Sequence, residues 1–164
     1  MFYSGGDGLK TLFVYCSEDD TINSLCRESA FKKSEAESLQ LSSCSGKTLF
    51  SRYLDAVRSR SSVITKDYAV DFNDYDRIII ACDEFAGEVS PEMSVFIKSN
   101  DFRYKNVDCI VFGDGRGALR AKDGLKVRIS LSGGTVRNCV SVSTKKLKKE
   151  EEDLLFSIRH RLAI

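Results

Sequence analysis

The 164-residue sequence contains one histidine, one proline and no tryptophan. One His, with six cysteines of which no two form a Cys-x-x-Cys pair, is too thin a donor set for a zinc site. No apolar run approaches membrane-spanning length. A formal net charge of +1 supplies no field that would gather nucleic acid or an anionic membrane. Residues 1–9 lack the charged start and apolar centre of a signal peptide and read as a loose leader. The expected location is therefore the cytoplasm. There is no internal repeat, linker or low-complexity tract. Residues 10–164 are expected to form one domain, long enough to bury a core.

What the chain does have is ordinary globular chemistry, with 42% apolar and 30% charged residues. Cys16, Cys82, Cys109 and Cys139 fall in or at the ends of apolar runs, where a reduced thiol behaves as a small hydrophobe. All six cysteines, including Cys26 and Cys44, are expected to be free thiols. Four apolar runs, 11–16, 77–82, 107–113 and 138–142, lack polar alternation, as strands covered on both faces do. A weaker run at 37–43 reads as an edge strand.

Helical patterns fill the gaps. One begins at Asp20 or Thr21 and carries Ile22, Leu25 and Cys26 on one face. A second recurs through Leu49, Phe50, Tyr53, Leu54 and Val57. A third has Ser90 as cap and Pro91 at its first position. A fourth, in the tail, carries Leu154, Leu155, Ile158 and Leu162. Strands alternating with helices predict an α/β fold, a three-layer doubly wound sandwich around a five-stranded parallel sheet, with strand 11–16 at its centre.

Ligands of such a sheet sit beyond the carboxyl ends of its strands, where the strand order reverses. Three segments occupy that rim: "CSEDDT" after the first strand, "CDEFAGE" after the 77–82 run, and "GDGRG" after the next. Their order resembles the flavodoxin-like family, in its short-chain form. "VYCSEDDTINSLC" is similar to the family's strand, phosphate loop and helix start. The segment from "DFNDYDRIIIACDEFAGEVSPEMS" through "VFIKSNDFRYKNVDCIVFGDGRG" is similar to its central strand, aromatic loop, helix and Gly-rich third loop. The similarity runs in order from about Lys10 to Ile164.

The resemblance implies FMN as cofactor and a small electron carrier or flavin-dependent oxidoreductase with a redox partner protein. The cofactor-binding positions it implies fall in three groups. Ser17, Glu18, Asp19, Asp20 and Thr21 match the phosphate loop, with Ser17 and Thr21 at its hydroxyl positions. Asp83, Glu84, Phe85 and Ala86 match the aromatic loop, with Phe85 against the isoalloxazine. Gly113, Asp114, Gly115 and Arg116 match the loop over the flavin's other side. This sequence departs from the family at Asp19, where Gly is usual, at Asp20, where Asn is usual, and at Asp83 and Glu84, which replace apolar or Pro residues. Carboxylates beside a phosphate oppose it. Asp19 and Asp20 also read simply as helix N-caps. The alternative expectation is a flavin-free binding or regulatory module on the same fold.

Three other motifs are weighed and set aside. The acids of "EDD" and "CDE" resemble a receiver-domain Mg²⁺ pocket with Asp83 as phosphoacceptor, but Gly113 stands where receivers place Ser or Thr. "SGKT" at 45–48 resembles the end of a phosphate-binding loop, yet Leu41 occupies the earlier Gly position. The run "KKLKKEEED" is a charge-balanced helix face, and His160 needs no catalytic partner.

Overall fold

The computed structural model describes residues 10–31, 36–42 and 69–147. The leader, Cys44, the helical patterns around 49–57 and 154–162, the "SGKT" segment and His160 lie outside the described residues. In chain order the elements are β1 (Thr11–Cys16), α1 (Asp20–Phe31), β2 (Ala36–Gln40), a 3₁₀ turn (Phe72–Asp74), β3 (Arg77–Phe85), β4 (Glu88–Val89), α2 (Pro91–Ser99), β5 (Asn106–Phe112), α3 (Gly115–Leu131), β6 (Thr135–Val142) and α4 (Thr144–Leu147).

Five strands form a parallel sheet in the order β2-β1-β3-β5-β6. The short β4 pairs antiparallel with the end of β3. The expected sheet is present, but β3 takes the centre and β1 lies one place out. The reason is that β5 and then β6 add beyond β3, while only the edge strand β2 lies outside β1.

The strands are apolar on both sides because both sides are covered. Leu12, Val14 and Cys16 of β1, Ile78, Ile80 and Cys82 of β3, and Val107, Cys109 and Val111 of β5 face one layer. There they meet Met93, Phe96 and Ile97 of α2 and Ala121, Leu125 and Ile129 of α3. Phe13, Tyr15, Ile79, Ala81, Ile110 and Phe112 face the other layer, against Ile22, Leu25 and Cys26 of α1. Each such side chain, taken fully out of water, contributes about 1.5–3 kcal/mol. Phe72, Phe96 and Phe102 add an aromatic cluster with centroids 4.7–6.3 Å apart.

The described cysteines, Cys16, Cys26, Cys82, Cys109 and Cys139, are free thiols. The 77–82 run continues three residues further, because β3 turns directly into a hairpin with β4. α3 occupies a stretch in which the sequence had suggested only a Gly-rich loop. Its buried residues Ala118, Ala121, Leu125 and Ile129 recur at helical spacing, but the first two are too small to announce a helix.

Candidate functional site

The chain leaves β1, runs out to the edge strand β2 and then crosses back to β3, so the strand order reverses between β1 and β3. At that point the carboxyl ends of β1, β3 and β5 open into a cleft of about 740 Å³. Its walls are Glu18, Asp19, Asp20, Ile22, Asp83, Glu84, Phe112, Gly113, Asp114 and Thr144. Six of these carry carboxylates, and none is Lys or Arg.

The first loop is short and tightly bonded. Ser17 is 7% exposed and lies beneath the cleft floor. Its hydroxyl donates to Asp83 Oδ2 at 2.7 Å, and the Glu18 N–H donates to the same oxygen at 2.9 Å. The Ser17 oxygen in turn accepts from the Asp19 N–H at 3.0 Å. Asp19 caps α1: its Oδ1 accepts from the Thr21 N–H at 2.9 Å, and its carbonyl accepts from the Asn23 N–H at 3.0 Å. Asp20 opens the helix and is exposed, where its charge suits the helix dipole.

Asn23 was not among the sequence candidates. It is buried and donates from Nδ2 to the Ser17 carbonyl at 2.9 Å, fixing the loop from below. Its Oδ1 has no hydrogen-bond partner among the described residues.

The second loop begins on the central strand. Pairing of Cys16 with Cys82 brings Ser17 and Asp83, the next residue of each strand, side by side. Glu84, one residue on, projects to the opposite flank. Its Oε1 accepts from the Gly87 N–H at 2.6 Å, and its side chain crosses Gly113 and Gly117. A Cβ on Gly113 would come within 2.7 Å of Glu84 Cβ, so this glycine is required by close approach. Phe85 and Glu88 pair across a two-residue turn whose central residues, Ala86 and Gly87, have φ of 51° and 81°. These are the torsions of the tight hairpin turn that matches strand twist. Phe85 is half-buried at the base of this hairpin, and neither it nor Ala86 is among the residues walling the cleft.

The third loop is anchored by Asp114. Thr144 donates to its Oδ2 at 2.6 Å and Ser143 donates to its Oδ1. These two hydroxyls hold the Asp114 carboxyl below its ordinary pKa. Ser143 and Thr144, directly after β6, are functional neighbours that the sequence reading passed over; two hydroxyls at a strand's carboxyl end were the available signal. Gly115 has φ of 64° and starts α3, so only Gly113 and Asp114 of this group reach the cleft, while Arg116 is exposed on the helix.

Of the thirteen residues singled out in the sequence, Glu18, Asp19, Asp20, Asp83, Glu84, Gly113 and Asp114 share one wall, with Ser17 beneath it. Asp83 also raises the thiol pKa of its neighbours Cys26 and Cys82, second in each to burial itself. Among the described residues no group of three or more His, Cys, Asp or Glu is arranged to hold a metal ion. The acids are instead turned toward separate partners: Asp83 to the first loop, Glu84 to the hairpin turn, Asp114 to the segment after β6.

No family model and no curated protein matches the sequence. Solved structures do match the architecture. A flavoprotein from Lactobacillus acidophilus NCFM, solved in complex with FMN, is similar at a TM-score of 0.64 and 15% identity, over 87% of this chain and 97% of that one. A flavodoxin from Streptococcus pneumoniae TIGR4 is similar at 0.53 and 15% identity, over 93% and 97%. The fold is flavodoxin-like. An NADPH-quinone reductase from P. pentosaceus shares it at 0.56 and 10% identity, over 93% and 98%. At these identities the likeness is one of fold, and the chemistry of the flavodoxin-like cleft has to be read from its own residues.

Those residues meet the demands of FMN unevenly. A hydroxyl and a backbone N–H that converge on one anionic oxygen form a cradle for an anion, and Asp83 is the stand-in that occupies it. The cleft volume admits a ligand of flavin size. Ile22 and Phe112 give it apolar contact, and the carboxylates give acceptors for ligand hydroxyls. Among the described residues its walls carry no Lys or Arg, although Lys145 lies close enough to act on Asp114.

Proposed function

We propose that this protein binds flavin, with FMN as its cofactor, and serves as an electron carrier or small flavin-dependent oxidoreductase. The observation that carries the reading is the cleft of about 740 Å³ at the point where the strand order reverses, with Ile22 and Phe112 among its walls. The FMN complex of the L. acidophilus flavoprotein, which shares the fold over 97% of its length, supports it. In this reading the loop of Ser17, Glu18, Asp19, Asp20 and Thr21 faces the ribityl and phosphoryl end. Ile22, Phe112 and the Gly113–Asp114 turn flank the ring. The flavin, when bound, supplies the electron-transfer chemistry, and the chain supplies position, exclusion of water and the field of its carboxylates. The carboxylates disfavour added negative charge on the ring, which lowers its potential. A redox partner protein in the cytoplasm completes the proposal, and a near-neutral net charge gives no reason to add nucleic acid or membrane as partners. No helix among the described residues is long and apolar enough to cross a membrane.

Titration of the purified protein with FMN and with riboflavin, followed by flavin fluorescence, tests this. Saturable binding of either flavin is the expected result, and absence of binding by both overturns it. That second outcome would favour a flavin-free binding module, for which the specific observation is the Asp83 carboxylate already seated on the loop donors.

A further inference from the structure

We propose that Asp83 is the specificity-determining residue of the cleft: its carboxylate occupies the donors a phosphate monoester would need, so the site selects flavin by its ring and ribityl chain and gains no affinity from the phosphate. The inference rests on the flavin reading and adds to it the class of flavin that the site prefers.

The argument starts from backbone geometry. Asp83 is held on one side by the pairing of β3 with β1 and on the other by its own register partner Phe112 in β5. Its Cα cannot retreat without opening the central sheet. The side chain is short, and in this position a single oxygen reaches both the Ser17 hydroxyl, at 2.7 Å, and the Glu18 N–H, at 2.9 Å. Both donors therefore serve an ionised acceptor, the stronger class of hydrogen bond. A phosphate arriving at the loop would have to displace that carboxylate and then remain within a few ångströms of it.

Two of the other loop donors are engaged as well. The Asp19 N–H is spent on Ser17 Oγ, and the Thr21 N–H on the Asp19 carboxylate. Among the described residues none of the cleft walls carries Lys or Arg to offset a dianion. A flavin without phosphate meets none of this opposition, since its ribityl hydroxyls can donate to carboxylates that the phosphate would confront.

Asp83 also differs in kind from the other acids of the cleft. Asp19 acts as a helix cap and Asp20 is exposed at the first turn, so neither competes for Ser17 and Glu18. Removing Asp20 should matter only through general charge, which salt screens.

The test compares FMN and riboflavin affinities in four forms of the chain: wild type, Asp83→Asn, Asp83→Ala and Asp20→Asn. Asn keeps the shape of the side chain and removes its charge, and Ala clears the donors as well. Wild type should bind riboflavin at least as tightly as FMN. Either Asp83 substitution should tighten FMN by roughly 10- to 100-fold, the value of one close like-charge contact at intermediate dielectric, and change riboflavin by less than about threefold. Asp20→Asn should change FMN by less than about threefold. Wild type that binds FMN far more tightly than riboflavin would overturn the assignment and leave the flavin reading standing. Equal gains from Asp20→Asn and Asp83→Asn would overturn it too, in favour of general charge. If neither flavin binds any form, the flavin reading falls and the assignment falls with it.

Discussion

At the amino end of the sheet, opposite the cleft, Arg77 and Asp108 form an ion pair inside the fold, and Asp108→Ala should be the most costly single change among the described polar residues. Asp108 is 1% exposed and Arg77 15%. Arg77 Nε and Nη2 each lie 2.6 Å from Asp108 Oδ2, and Asn138 Nδ2 donates to Oδ1 at 2.8 Å. The substitution takes the facing carboxylate from a largely buried guanidinium and the acceptor from the amide of Asn138. Loss of one partner of a buried pair costs about 3–5 kcal/mol. For a domain of this length that is a fall in Tm of roughly 6–20 °C. Urea unfolding gives the first quantity and a thermal melt the second. The double variant Arg77→Met with Asp108→Leu should recover to within about 1–2 kcal/mol of wild type, because the cost lies in an uncompensated charge rather than in the lost pair. A loss below about 1 kcal/mol for Asp108→Ala, or a double variant as unstable as the sum of its singles, would refute the reasoning.

Two further outcomes follow from local geometry. Ala86 holds φ of 51°, which costs an L-residue roughly 1–2 kcal/mol, so Ala86→Gly should stabilise by about 0.5–1 kcal/mol after the glycine's entropy is counted. A melt that moves down by any measurable amount would show the turn to be unstrained. Asp114 has its pKa lowered by the Ser143 and Thr144 hydroxyls, so its contribution is present above the unfolded carboxyl pKa of about 4 and is lost as pH falls through the lower folded value. Asp114→Asn should therefore be less stable than wild type near neutrality and converge on it in acid; a gap independent of pH would contradict this.

The sheet was legible because strands buried on both faces leave apolar runs, and β1, β3 and β5 lie within a residue of those runs at their amino ends. The carboxyl end of β3 was not legible. Beyond Cys82 its residues are polar or half-exposed, and they stay extended because β5 and then β4 pair with them. α3 was missed for a different reason. Gly115 and Gly117 open it, and Gly117 admits the Glu84 carboxylate, whose Oε1 would lie 2.5 Å from any Cβ placed there. A sequence that weakens its own helix start to let a side chain pass reads as a loop. The site residues at the strand ends were visible as a group, since topology alone places them on one rim. Which acid faced which donor was not visible. Asp19 and Asp20 lie in the phosphate-loop segment, yet the carboxylate seated on its donors comes from 66 residues away, through strand pairing.

That distance explains how the rim holds its shape. Successive residues of a strand point to opposite sides, so Asp83 and Glu84 reach in opposite directions from the same strand end. Asp83 binds the loop after β1, while Glu84 covers the turn after β5 and closes the hairpin. Asp114 then ties that turn to the segment after β6. Three carboxylates thus brace four strand ends. A cleft organised in this way carries little ordering cost when a ligand enters. It also resists any ligand that must break the braces to be held. The same contacts that keep the loops in place therefore set the chemistry that the cleft accepts, and Asp83, on the central strand, is where the two roles coincide.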